Sequence, residues 1–223
     1  MTLVIAHRGA SAYEVENSLA AFRAASAMGA DGVELDVHVT ADGVPVVHHD
    51  PAAGPRLIAA VDYQDLTGYR LSNGEPVPTL AQALGVMGPD LSVFVEVKSL
   101  APEHDAVLLD VLDRGPHPAR YQVHSFDHRI VQRLHAQRPA LPGGILSSSY
   151  PILPFAPLEQ VGAAVLWQQE SLIDRDLVRG AHERGYQLYA WTVDEPERMR
   201  LLIEMEVDAL CTNRPDVGRR VVG

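Results

Sequence analysis

Short apolar runs alternate with amphipathic stretches along the whole chain, and the number of runs constrains the fold more than any other feature. Eight runs read as strands: Leu3 to Ala6, Val33 to Val39, Ser92 to Lys98, and residues 121–125, 143–147, 163–168, 186–192 and 209–212. A helical segment separates each from the next. The first starts near Asn17-Ser18, turns Leu19, Phe22 and Ala25 inward and stops at Gly29; the second opens at Thr79 with Gln82 at the capping-box position. The others span 102–114, 127–138, about 155–160, 174–184 and 195–206. One further run, Val44 to His48, follows the tight turn Asp42-Gly43 too closely for a crossover helix and is the return arm of a hairpin. Eight strands with intervening helices close a (β/α)8 TIM barrel, here with a short β-hairpin and a Gly/Pro-rich loop (51–78) inserted after the second strand.

An open doubly wound sheet is the rival, but it normally carries G-x-G-x-x-G after its first strand, and His7-Arg8-Gly9-Ala10-Ser11 is not that fingerprint. No break in composition divides the chain, so residues 1–223 read as one barrel domain. A formal charge of −11 without a basic run argues against nucleic-acid binding. Cys211, the single cysteine, excludes an internal disulfide and fits a reducing compartment. No apolar run reaches the roughly 20 residues of a membrane helix, and Thr2 to Ala6 is too short for a signal core. The expectation is a cytoplasmic protein without a membrane span.

In Val33-Glu34-Leu35-Asp36-Val37 a period of two puts both acids on one face and the apolar residues on the other. On an isolated hairpin those acids would sit in solvent; in a parallel barrel the apolar face packs on helices and the acids enter the mouth. Glu96 alternates with Val95 and Val97 on the next barrel strand, so three carboxylates converge where unpaired charge is costly. An all-oxygen set of this kind suits a hard divalent cation, Mg²⁺ or Ca²⁺. His7 ends the first strand and His49 the hairpin arm, an imidazole pair able to divide acid and base work near neutral pH. Arg8 and Lys98 beside them can hold a phosphoryl group. Alternation places His48 on the face opposite His49.

These residues together resemble the glycerophosphodiester phosphodiesterases. The likeness runs through His7-Arg8-Gly9, Glu16-Asn17-Ser18, Glu34-Leu35-Asp36, Val46 to Asp50, Val77 to Leu80, Glu96-Val97-Lys98, Ser125-Phe126, Trp191-Thr192-Val193 and Asp208 to Pro215, in the family's order. The resemblance implies a TIM-barrel enzyme that hydrolyses glycerophosphodiesters, as small-molecule substrates, to glycerol 3-phosphate and an alcohol. It implies a divalent metal on Glu34, Asp36 and Glu96, an acid–base pair of His7 and His49, and substrate contacts from Arg8, Lys98 and Asn17. Trp191, at a C-terminal strand end, is expected as a wall for the glycerol.

The chain departs from the family's pattern at Pro51 to Arg56, at Asn213 where Asp is usual, and in a brief 51–78 segment that implies a more open cleft. These departures are expected to affect substrate choice more than chemistry. A metal-dependent amidohydrolase would need a His-x-His pair after the first strand, which is lacking. Two alternatives stay open at this level: a head-group lyase that forms a cyclic phosphate, and a non-catalytic relative that binds phosphodiesters.

Overall fold

Eight parallel strands close on themselves in the computed structural model, which describes residues 1–223. They are β1 (Leu3–Ala6), β2 (Gly32–Val39), β3 (Ser92–Val97), β4 (Tyr121–Ser125), β5 (Gly143–Ser147), β6 (Val165–Gln169), β7 (Gln187–Trp191) and β8 (Ala209–Thr212). Sequential strands are neighbours, and β1 pairs with both β2 and β8, so the barrel has no open edge. The barrel expected from the alternation is therefore the one observed.

Helices α1 (Leu19–Ala27), α2 (Leu80–Val86), α3 (Asp105–Arg114), α4 (His128–Gln137), α5 (Ala156–Val161), α6 (Arg175–His182) and α7 (Pro196–Glu204) fall where the sequence placed them, within a few residues. Ser18 caps α1, and Thr79 with Gln82 forms the expected capping box on α2. An eighth helix, α8 (Pro215–Val222), has no counterpart in the sequence reading. Pro215 resembles a stop after β8, but a proline in the first helical turn has no N–H to lose. None of these helices is long and apolar enough to cross a membrane.

Strand alternation builds two layers. Val33, Leu35, Val37, Val93 and Val95 face outward onto Phe22, Leu84 and Leu108 of the helices. Ile5, Phe94, Leu146, Trp167, Tyr189 and Cys211 fill the barrel. Phe94, Trp167 and Tyr189 meet edge to face with centroids 5.0–5.8 Å apart.

The return arm, Pro45–Val47, pairs antiparallel with β2 through Val37 and Val47. The segment beyond it, read from sequence as a loop, contains a two-stranded ribbon (Ala52–Ala53 with Arg56–Leu57) and a one-turn helix (Tyr63–Leu66). Val46, Ala53, Ile58, Leu66, Leu71 and Val77 make a small core beneath it. That core anchors the arm and so fixes where His48 and His49 emerge.

Candidate active site

Parallel register sets Asp36 beside Glu96, Glu96 beside His124, and His124 beside Gly144 at the C-terminal end of β2 to β5. Above this row is a cavity of about 120 Å³ bordered by His7, Arg8, Glu34, His49, Glu96, Lys98 and His124 on one side. Phe126, Leu146, Trp167, Trp191 and Cys211 border it on the other. His7 and His49 both reach the cavity; His48 does not, its Nδ1 lying 3.0 Å from the Asp50 carbonyl and its ring edge-on to Tyr69.

The loop after β1 is shaped by its own chemistry. Gly9 has φ +83°, and a Cβ there would lie 2.7 Å from Ala21, so only glycine lets the chain pass α1. Arg8 also adopts a left-handed conformation, φ 55°. Its backbone N–H donates to Glu34 Oε2 at 3.0 Å, and its guanidinium meets Glu16 at 2.9 Å and Asp36 at 3.0 Å.

Two cations hold Asp36. Lys98 Nζ is 3.1 Å from Asp36 and 2.6 Å from Glu96, and Asn17 donates to Asp36 at 2.8 Å. Burial alone would raise the Asp36 pKa, but Lys98 and Arg8, with Asn17, hold it below the usual carboxylate value. Glu34 goes the other way: burial first, then the Asp36 and Glu96 charges, push it well above its ordinary value. Glu96 is raised to about 7, by burial and then by Asp36, against the pull of Lys98.

His7 is held from behind. Its Nδ1 is 2.7 Å from Asn213 Oδ1; the Asn213 amide group donates to Asp194 at 2.6 Å, and Ser11 donates to Asn213 Oδ1 at 2.8 Å. With the Asn213 NH₂ committed to a carboxylate, its carbonyl must face the ring, so His7 carries its proton on Nδ1. Nε2 is left with a lone pair directed toward the mouth, 4.0 Å from Glu34. Burial, followed by the Arg8 charge, lowers the His7 pKa. His49 Nδ1 lies 2.9 Å from the Asp50 carboxylate. His38, buried on β2 below, bridges Ser99 at 3.0 Å and the His49 carbonyl at 3.2 Å.

Three of the expected residues have partners within the protein. Asn17, expected on the substrate, is 2% exposed and uses both ends of its amide on Asp36, so it positions that acid. Asp36 is held by Arg8 and Lys98, and the atoms that lie within 4.8 Å of one another come from Glu34, Glu96 and His124. Asn213, expected to bear on substrate choice, contacts His7 itself. His38, His124 and Asp194 are additions. His124 shares the inward phase of Gln122 in a strand whose Tyr121 and Val123 face outward, a pattern legible beforehand; the Asp194 contact joins separate loops and left no local signal.

The mouth can hold a divalent cation. Glu34 Oε1 and both ring nitrogens of His124 are buried without a hydrogen-bond partner, and three buried acids face only two half-buried bases, Arg8 and Lys98. Trp191 lines the cavity opposite, edge-to-face with Phe126 at 5.5 Å.

Comparison with known proteins follows the same lines. The model of the glycerophosphoryl diester phosphodiesterase family matches residues 7–217. The chain is 32% identical over 231 residues to a glycerophosphodiester phosphodiesterase of Caldanaerobacter subterraneus subsp. tengcongensis, covering 96% of this chain and 95% of that one. A glycerophosphodiester phosphodiesterase crystal structure from Parabacteroides distasonis superposes with a TM-score of 0.90 at 29% identity, covering 99% and 96% of the two chains. A phosphodiesterase of Oleispira antarctica, solved in complex with the product sn-glycerol-3-phosphate, gives 0.92 at 25% identity over 100% and 97%. Together with the barrel and its histidine- and acid-lined mouth, these matches place the chain in the glycerophosphoryl diester phosphodiesterase family.

Proposed function

We propose that the protein hydrolyses glycerophosphodiesters to sn-glycerol 3-phosphate and an alcohol, with His7 and His49 moving the protons and a divalent cation held on the acids of the mouth. The observation that carries this reading is the meeting of two cavity-facing histidines with Arg8, Lys98 and a buried, incompletely neutralised acid cluster. The Oleispira enzyme, similar throughout its length, supports the product assignment.

Each side chain has a task that follows from its placement. Arg8 and Lys98 bind the phosphoryl oxygens and stabilise the negative charge that grows as the ester bond breaks. His7, with its proton fixed on Nδ1 by Asn213, accepts the nucleophile's proton at Nε2. His49, with its Nδ1 toward Asp50, protonates the departing alkoxide. Trp191 and Phe126 close the apolar side of the cavity against the glycerol carbons. Glu34 and Glu96, with Asp36 beside them, would hold the cation, and carboxylate oxygens suit Mg²⁺ or Ca²⁺. When bound, the cation would supply Lewis-acid stabilisation of phosphoryl charge.

The test uses neighbouring histidines. His49→Ala should lower turnover by about two to four orders of magnitude with substrate affinity largely kept, and His48→Ala should change it little. Equal losses, or a larger one at His48, would show that His49 is not a proton-transfer group.

A further inference from the structure

His124 is buried to 1% exposure, yet neither ring nitrogen has a hydrogen-bond partner. An imidazole buried in this way ordinarily costs about 1–3 kcal/mol for each polar atom left unsatisfied, and an apolar ring would stack on Trp167 equally well. The ring is nonetheless placed with care. It lies flat on Trp167, centroids 4.2 Å apart and planes at 8°. Gly144 makes the room, since a Cβ there would sit 2.8 Å from the Trp167 ring and 3.2 Å from the His124 Cβ. The ring is thereby presented edge-on to the acids.

Across from it are Glu34 and Glu96, which offer carboxylate oxygens that, with a His124 ring nitrogen, all lie within 4.8 Å of one another. No hydrogen bond joins the ring to either acid. Atoms bonded to one ion at about 2.0–2.4 Å lie no more than about 4.8 Å apart, so the three groups are spaced as ligands. Glu34 is also directed: Arg8 N–H occupies Oε2, and Oε1 is the free atom. Asp36, in contrast, is engaged by Lys98, Arg8 and Asn17.

We propose that His124 supplies a nitrogen ligand to the cation, alongside Glu34 and Glu96, and so extends the ions this mouth binds toward first-row transition ions such as Mn²⁺ and Zn²⁺. The inference rests on the divalent-metal reading above and adds one ligand to it. A nitrogen donor raises affinity along the transition series far more than for magnesium or calcium, which favour all-oxygen sets. Trp167 acts as the ring's positioning partner, holding the nitrogen edge toward the acids.

The experiment is electron spin echo modulation of the Mn²⁺-loaded protein. Wild type should bind one Mn²⁺ and show coupling to a single histidine nitrogen. His124→Gln should still bind Mn²⁺ through the carboxylates but lose that coupling. His7→Gln, the control because His7 is also near Glu34, should keep it. Losing a second-shell partner already costs about 10- to 100-fold in metal affinity, so the Zn²⁺ to Mg²⁺ affinity ratio should fall at least about tenfold in His124→Gln. Should that variant fail to fold, Zn²⁺ titration of wild type labelled with ¹⁵N-histidine should move the His124 ring nitrogen. Stoichiometric Mn²⁺ binding without nitrogen coupling, or coupling lost only in His7→Gln, would overturn the ligand assignment and leave the metal reading intact. Absence of Mn²⁺ binding with full metal-free activity would overturn both.

Discussion

The two halves of the barrel interior solve opposite problems. On one side β2, β3 and β4 contribute Glu34, Asp36, Glu96 and His124; on the other, β6 and β7 contribute Trp167 and Tyr189, packed against Phe94 from the strand floor. The aromatic half is held by ring contacts, each ring edge-to-face with the others, with the Tyr189 hydroxyl donating to Gln187 Oε1 at 3.2 Å. The acid half is satisfied only where Arg8, Lys98 and Asn17 reach it, and Glu34 Oε1 and His124 are left without partners. Stability and chemistry are thus divided across one small cavity, with His124 stacked on Trp167 at the seam.

The largest effect expected from this division is in the aromatic half. Trp167→Ala should destabilise the protein by about 3–5 kcal/mol in denaturant unfolding, and a cost below about 1 kcal/mol would mean that these rings do not carry the interior. Glu34→Gln should do the reverse. It should lower turnover by about 10²–10³-fold, while the metal-free protein melts at a higher temperature because a like-charge repulsion is gone. A lower melting temperature would show that Glu34 is part of the stabilising half.

Acid titration separates the halves further. Burial, with smaller help from the Lys98 and His7 charges, lowers His124 to about 3. Between about pH 6.5 and that value the unfolded chain binds a proton the folded chain refuses, so this group destabilises on acidification by up to about 1.4 kcal/mol per pH unit. Glu96, raised to about 7, and Glu34 have the opposite sign: the folded state binds protons that the unfolded chain lacks until about pH 4.5, so they stabilise as pH falls. In urea unfolding of metal-free protein between pH 6.5 and 5, His124→Gln should therefore gain more stability on acidification than wild type. Parallel curves would mean that the His124 ring is protonated in the fold.

The smallest effect is expected at Asn213. Asn213→Ala removes one hydrogen bond from His7, worth roughly 1 kcal/mol, and should lower kcat about fivefold to tenfold with KM kept. A change confined to KM would return Asn213 to a role in substrate choice.

Much of this was legible in the sequence because a period of two separates wall from interior. Val33, Leu35 and Val37 mark the helix-facing side, and Glu34 and Asp36 follow as inward residues. The same rule applied to β4 would have exposed His124. What periodicity cannot report is which inward groups neutralise one another. Periodicity shows Asp36 as an inward acid but not that Arg8, Lys98 and Asn17 meet it from three different loops and strands. Asn213 and His7 are 206 residues apart in sequence, and only barrel closure brings them together. The Tyr63–Leu66 turn and α8 leave little periodic signal because each is short and begins among polar residues or at a proline.

Phosphorus NMR of the products, with glycerophosphocholine and a lysophospholipid supplied separately to the divalent-metal-loaded protein, distinguishes hydrolysis from cyclisation and from no reaction. The sn-glycerol 3-phosphate monoester resonance should grow from glycerophosphocholine, be suppressed by chelation and return on readdition of the metal. A cyclic phosphodiester accumulating as the end product would contradict hydrolysis in favour of a head-group lyase, and an unchanged spectrum would contradict catalysis of this reaction altogether.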